Sequence, residues 1–462
     1  MDNKQKKKFR LGIVEKKIFI LLCDFIFVFL SLFLTIIIRE DICMKIFISR
    51  GYFWAILLYT IFAISIFYIS DVFNVFVIDF WSTILPRIFF GVALTVTFII
   101  ISSFYLESLA LPRISIIILG FFLIIGLTLL HYYLVIIKRE PFKVMIIGSG
   151  FAALKIIEDI KKSGSPFFHI VGIYDEDYKK NGLKILDIEI KGGITKFIED
   201  VRKDPPEMVV VSFDYNLIEQ WTDAFFLCVR NGVQVCSAVD VYGKLFSKVP
   251  SDHIDALWFL SGLPFARSYV LFRRILDIVF STIGLTIMLI LFPFLYVAIK
   301  LTSPGPVFFS QVRVGLNGRT FKIHKFRTMI VNAEKETGPV WCIKKDSRIT
   351  PLGKIMRKLR FDELPQFWNI FKGEMSLIGP RPERPEFVDQ LKQRIPFYDE
   401  RHLVKPGLTG WAQVLFPYGN TVEHAVEKLH YDLFYIRNMS FFMDIKIILK
   451  TIATVVCGKG GM

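Results

Sequence analysis

Long apolar runs separated by short polar stretches dominate the first third of the chain. They fall at Ile18 to Ile38, about Tyr52 to Ile69, about Ile88 to Phe104, and about Ile114 to Ile137. At about 1.5 Å of rise per residue, each approaches the length a helix needs to cross a hydrocarbon layer about 30 Å thick. The pattern therefore predicts four membrane spans, the first too long for a signal peptide and without a small-residue cleavage site. Four crossings return the chain to its starting side. Asp24 inside the first run is costly in lipid, and its place near one end of the run favours helix packing or snorkelling over a functional role.

After the fourth run the period changes. Val144 to Ile147 is a short apolar run, followed by Gly148-Ser149-Gly150-Phe151-Ala152-Ala153 and an amphipathic stretch to Ile160. This reads as strand, glycine turn and helix, the opening of a Rossmann-like α/β fold in which Gly148 and Gly150 would let the backbone approach a pyrophosphate. Asp175, after the run Ile170 to Tyr174, stands near the place of a ribose-binding acid. Strands at Met208 to Val211 and Val233 to Cys236, with a helix around Leu217 to Arg230, complete the unit. The glycines serve the turn with or without a ligand, and no Tyr-x-x-x-Lys pattern follows for hydride transfer. A structural or regulatory module is favoured over a nucleoside-diphosphate-sugar oxidoreductase.

A fifth apolar run, Ile275 to Ile299, follows Arg273-Arg274 and contains Pro293. Its length allows a crossing, whereas a proline bend at Pro293 allows the helix to return to its own side as a re-entrant element. Both readings stand on the pattern alone. Beyond it, Gln311 to Gly315 and Phe321 to Arg327 predict a hairpin around Asn317-Gly318. Phe434 to Val456, with Phe441, Phe442, Ile445, Ile448 and Leu449 against Arg437, Lys446 and Lys450, predicts one interfacial or core-facing helix.

Composition sharpens this picture. The chain has 462 residues, 53% of them hydrophobic, a mean hydropathy of +0.49 and a formal charge of +15. An apolar excess with a basic balance argues against disorder and against a purely soluble enzyme, and it suits anionic lipid or anionic substrates. Lysines and arginines before the first run and Lys138-Arg139 after the fourth place both ends of the bundle on the cytoplasmic side. The six cysteines have no metal or disulfide spacing. His324, His402, His424 and His430 form no helical metal pair.

The candidate chemistry gathers in the last third. Asp362-Glu363 opens a helix with Pro365 in its first turn and Gly373 at its end, which helix capping alone could explain. Capping does not require the cations of the same region, Lys325, Arg327, Arg348, Arg360 and Arg381, with Lys325 and Arg327 expected on one strand face. Paired acids beside several cations suit Mg²⁺ and phosphate, with Asp362 and Glu363 as oxygen ligands, and one of the two acids could act as a nucleophile.

In this region the chain resembles the bacterial polyprenyl-phosphate sugar-phosphate transferases. The resemblance rests on Lys325 to Met329, Asp346 to Thr350, Asp362 to Gln366, Met375 to Pro382 and Lys405 to Gln413, five motifs in order over about 90 residues. Arg360-Phe361 stands where Ser-Leu is common in the family, and Ser347 where Pro is commoner. Phe416 to Gly419 and the ending Gly458 to Gly461 look like the exopolysaccharide branch. The resemblance implies transfer of a sugar 1-phosphate from a UDP-sugar to undecaprenyl phosphate with release of UMP, initiating exopolysaccharide or O-antigen synthesis. It implies Asp362 as the attacking group, Glu363 as a Mg²⁺ ligand, and Lys325, Arg360 and Arg381 on phosphates. A re-entrant helix would serve a cytoplasmic sugar donor and a lipid acceptor together, so the resemblance favours re-entry at Pro293.

The expected architecture is thus a multi-domain membrane protein: a four-helix transmembrane bundle over 1–140, a Rossmann-like α/β domain over 141–264, and an α/β catalytic domain with a re-entrant membrane helix over 265–462. The expected location is the bacterial inner membrane, with the catalytic domain on the cytoplasmic face. Expected partners are membrane lipid, the two substrates and downstream polysaccharide glycosyltransferases, without nucleic acid; a homo-oligomer is compatible. The competing reading is a non-catalytic membrane scaffold or regulator of polysaccharide assembly.

Overall fold

The computed structural model describes residues 13–40, 52–70, 72–73, 84–105, 113–134, 141–162, 168–212, 218–251, 254, 256–263, 267–331, 333, 348–416 and 421–456. The basic cluster before residue 13, the fourth-run residues 135–137, Lys138 and Arg139, Asp346 and Ser347, and the segments 417–419 and 458–461 lie outside the described residues. Two compact units result, 1–245 and 246–462.

The first unit opens with helices Ile13–Glu40, Tyr52–Ile69, Leu85–Tyr105 and Arg113–Tyr132. Each packs on two of the others, so the four close into a bundle. One face of each is buried, through Val28 and Leu32, Ala63 and Phe67, Ile88 and Val92, Leu119 and Leu123, while residues such as Leu30, Trp54, Ile117 and Phe121 point outward. Apolar groups on both faces are what a helix in lipid requires. Three of the four meet the length and hydropathy of a membrane span outright, and Phe53–Ile69 is a shorter apolar helix. Asp24 does not snorkel: it is fully buried and lies 2.8 Å from His131 Nε2 on the fourth helix. A partner 107 residues away thus settles the packing reading.

The same unit contains a six-stranded sheet ordered β3-β4-β2-β1-β5-β6, where β1 is Phe142–Ile147, β2 Phe168–Tyr174, β3 Lys184–Ile185, β4 Ile188–Gly192, β5 Met208–Val211 and β6 Gln234–Ser237. All pairings are parallel except β3 with β4. Helices Phe151–Lys162, Ile194–Lys203 and Ile218–Arg230 follow β1, β4 and β5. Tyr174, Phe197, Trp221 and Val209 join in one core cluster. Gly148 has φ 91, in the region that favours glycine, and its N–H donates to Tyr174 O at 2.7 Å. The following amide, Ser149 N, donates to Asp175 Oδ2 at 2.9 Å, and Lys180 Nζ lies 3.3 Å from the same oxygen.

The second unit is organised around one 36-residue helix, Arg267–Thr302, which runs through Pro293 as a single element. Of its most apolar stretch only 11% is buried. Near its start Arg273 and Asp277 reach β9, Ser376–Ile378: Asp277 Oδ1 accepts from Leu377 N at 2.8 Å, and Arg273 Nη2 donates to Ile378 O at 2.5 Å. Towards its end Phe292 stacks on Phe308 and Phe326 of the hairpin β7 (Phe308–Val314) and β8 (Thr320–Phe326). That hairpin pairs in unbroken antiparallel register from Phe308↔Phe326 to Val314↔Thr320, as expected from Asn317-Gly318. The stretch expected as one helix from 434 to 456 is broken into Val422–Arg437 and Phe441–Val456. Asn438 caps the first with its N–H on Phe434 O, and Ser440 Oγ accepts from Met443 N to open the second. Residues 246–251 belong to this unit, with Val249 N donating to His430 O and Trp411 Nε1 to Ser247 O, both at 2.9 Å.

Gly284 faces the ring of Phe367, and a Cβ there would sit 2.5 Å from ring carbons. Gly284→Val should therefore cost about 1–3 kcal/mol of stability by forcing the two helices apart. A thermal melt of the detergent-solubilised chain checks this, and an unchanged melting temperature would show that the contact yields.

Candidate active site

The acid pair sits on a tight turn between two helices. Pro351–Lys358 is opened by Thr350, whose hydroxyl accepts from Gly353 N at 3.0 Å, with Pro351 at the first helical position. It ends at Lys358 with Leu359 as its cap, and the next residue, Arg360, adopts φ 60, a conformation uncommon outside glycine. That reversal throws Phe361–Glu363 into a single 3-10 turn presenting both carboxylates, and the helix Gln366–Lys372 begins directly after. Asp362 and Glu363 are 7% and 8% exposed. Asn369, fully buried, fixes the next turn against β8 by donating to Lys322 O and to Glu374 Oε2, each at 2.7 Å, while accepting from His324 N.

Three cations from three elements converge on one oxygen. Glu363 Oε1 lies 3.5 Å from Lys325 Nζ on β8, 3.4 Å from Arg360 Nη1 and 3.6 Å from Arg381 Nη2, on the strap that follows β9. Burial works against ionisation of Glu363, but Lys325, Arg381 and Arg360 outweigh it and bring its carboxyl down to about 2. Asp362 moves the other way. Burial is the largest cause raising it, with the adjacent Glu363 charge adding to that, against opposition from Lys325, Arg357 and Arg360. Its Oδ1 is buried without a hydrogen-bond partner. The pair thus holds one carboxylate with an oxygen ringed by cations and one with a buried oxygen that has no hydrogen-bond partner.

Not every expected cation takes part. Arg327 was expected on the same strand face as Lys325, but β8 ends at Phe326 and the Arg327 side chain turns away. Its Nη1 and Nη2 donate to Pro304 O and Ser303 O at 2.7 and 2.6 Å, locking the Pro304-Gly305-Pro306 turn. Arg348 donates to Ala333 O at 3.0 Å and holds the segment after Met329. Arg357, which the sequence reading passed over, contributes positive charge at Asp362 and donates to Thr328 Oγ1 at 2.9 Å. Its signal was a basic residue in the last turn of the amphipathic helix leading into the acid pair.

Residues 268–458 match the family model described as bacterial sugar transferase. An Aeromonas hydrophila UDP-N-acetylgalactosamine-undecaprenyl-phosphate N-acetylgalactosaminephosphotransferase is 40% identical over 265 residues, 56% of this chain and 62% of that protein. A Klebsiella pneumoniae UDP-glucose:undecaprenyl-phosphate glucose-1-phosphate transferase is 32% identical over 328 residues, 67% of each chain. The chain belongs to the bacterial sugar transferase family. The uncharacterized sugar transferase EpsL of Bacillus subtilis is 38% identical over 195 residues, covering 41% of this sugar transferase and 90% of that one. Among solved structures, a Rex-family repressor aligns over 25% of this chain and 52% of its own, at 18% identity and a TM-score of 0.21, too slight to carry an argument.

Replacing Asn369 by Ala leaves Lys322 O, Glu374 Oε2 and His324 N without that partner. Losing these part-buried hydrogen bonds should cost about 1–3 kcal/mol in all. Hydrogen exchange should accelerate over 320–326 and 366–372, and unchanged protection there would show that Asn369 does not fix the turn.

Proposed function

We propose that this chain transfers a sugar 1-phosphate from a UDP-sugar to undecaprenyl phosphate, releasing UMP, with Asp362 as the nucleophile. The observation that carries the reading is the open, buried Asp362 oxygen beside a carboxylate surrounded by Lys325, Arg360 and Arg381. A carboxylate oxygen of Asp362 attacks the phosphorus that bears the sugar. The bond from that phosphorus to the bridging oxygen breaks, and its electron pair leaves with UMP. An oxygen of the lipid phosphate then attacks the same phosphorus, and the bond to Asp362 breaks to restore the carboxylate. The cations around Glu363, with Arg357 near Asp362, offset the charge of the diphosphate as it approaches.

The pair also fits Mg²⁺, because an unsatisfied buried carboxylate oxygen is the hard donor such an ion takes. Asp362 and Glu363 would be the protein ligands. Among the described residues no third acid, histidine or cysteine joins them, so water and substrate phosphate would complete the coordination. When bound, the ion would neutralise diphosphate charge.

The long helix supports re-entry. From Asp277 to Phe292 its contacts, at β9 and at the β7–β8 hairpin, fall on the same unit. A straight crossing would carry its two ends to opposite faces of the membrane. A bend in lipid at Pro293 and a cytoplasmic active site are part of this proposal, as are the Rossmann-like reading of residues 141–245, the inner-membrane location and the initiating role in exopolysaccharide or O-antigen synthesis.

Full-length protein in membranes, given undecaprenyl phosphate, Mg²⁺ and a panel of UDP-glucose, UDP-galactose, UDP-N-acetylglucosamine and UDP-N-acetylgalactosamine, should release UMP with at least one donor. Asp362→Asn should abolish that release, and full retention would overturn the nucleophile assignment.

The pH dependence follows from Asp362 having to be ionised. Because its carboxyl is raised, the rate should fall with decreasing pH at a higher pH than an ordinary aspartate would give. Lys325→Met removes the largest opposing charge and should move that acid limb to higher pH still. A pH–rate profile whose limb stays in place would contradict the assigned electrostatics.

A further inference from the structure

The cation at Arg381 depends on a backbone strap, and the strap is held by groups with no contact to the acid pair. Residues 376–382 run from β9 through Gly379-Pro380-Arg381-Pro382. Gly379 N donates to Thr409 O and Gly407 N to Pro380 O, each at 2.9 Å, and Arg313 Nη1 donates to Pro382 O at 3.1 Å. Prolines on both sides restrict the backbone at Arg381 but supply no N–H to anchor it. The Arg381 carbonyl is instead taken by Arg401 Nη2, at 3.0 Å.

Arg401 is itself fixed from two directions. It is 6% exposed, with Nη2 3.0 Å from Asp432 Oδ2 on the Val422–Arg437 helix and Nη1 2.7 Å from the Tyr398 hydroxyl, and its guanidinium lies 5.2 Å from the Tyr398 ring centre. Burying such a pair strips both ions of water, so its net contribution to stability is small or negative. What it supplies is direction, since a planar fork with three bonded partners has one orientation.

We propose that Arg401, oriented by Asp432 and Tyr398, is a positioning residue that sets where the Arg381 guanidinium meets the donor's diphosphate. This deepens the function proposed above and rests on it. Released from Arg401, the strap could shift at Arg381 and carry its side chain away from Glu363, and a shift of about 1 Å at a reacting site can cost about 100-fold in rate.

The test is a double-mutant cycle on UMP release by the full-length chain, using the panel donor with the highest turnover. Arg381→Ala should lower kcat/KM by about 100-fold and Arg401→Lys by about 10- to 100-fold, with the double variant no worse than Arg381→Ala alone. Tyr398→Phe, which removes one hydrogen bond and no charge, covers the case in which Arg401→Lys does not fold. Its smaller loss should likewise vanish in the Arg381→Ala background. Losses that multiply in both cycles would overturn the positioning role, because a merely structural residue acts regardless of what stands at 381. Absence of UMP release with every donor of the panel would instead count against the underlying reaction, so the two failures are distinguishable.

Discussion

The second unit depends on how an apolar helix is tied to a polar domain. The Arg267–Thr302 helix shows the surroundings mostly Val, Leu, Ile and Phe, and such a surface has no directional preference of its own. Direction comes from three polar groups, Arg273, Arg274 and Asp277, within about one turn near its start. Arg273 and Asp277 take the backbone of β9, while Arg274 donates to Ile370 O and Phe371 O at 2.8 and 2.7 Å. The latter are last-turn carbonyls of the Gln366–Lys372 helix, where a cation also complements the helix dipole. The helix that follows the acid pair and the strand that leads to Arg381 are therefore both registered against the same turn of the long helix.

That registration explains how two chemically similar neighbours come to differ. Asp362 and Glu363 share a turn, a burial level and the cations Lys325 and Arg360, yet one carboxyl is raised and the other lowered. The cause is placement, not identity: the Glu363 oxygen lies where β8, the αL residue Arg360 and the 376–382 strap all point. Asp362 receives part of the same positive field, but it also bears the charge of its neighbour, which no turn geometry can remove.

Much of this was legible locally. Met208 to Val211 is a strand with the bounds its run suggested, the Asn317-Gly318 hairpin closes as its turn chemistry requires, and Gly373 ends its helix in the left-handed region. What failed were inferences that extended a period past its end. Alternation assigned Arg327 to the face of Lys325, but carbonyls of the 303–304 turn captured it once the ladder stopped. An apolar stripe joined 434 to 456, although Asn438 and Ser440 are the cap residues that break it. Asp24 and His131 illustrate another limit, since nothing in either neighbourhood names a partner on a different helix.

The glycine turn of the parallel sheet and the acid pair are built on opposite principles, and the contrast bears on where ligands bind. At Gly148 the Ser149 amide, with its hydroxyl, is already satisfied by Asp175, whose carboxyl these bonds and Lys180 hold low despite partial burial. An incoming phosphate would have to displace a resident anion that is covalently part of the chain and therefore always at high local concentration. At Asp362 the protein leaves a buried oxygen without a hydrogen-bond partner and surrounds its neighbour with positive charge, so no internal partner stands to be displaced there. Unsatisfied buried polarity costs stability, and the fold tolerates it at Asp362 while quenching it at Gly148.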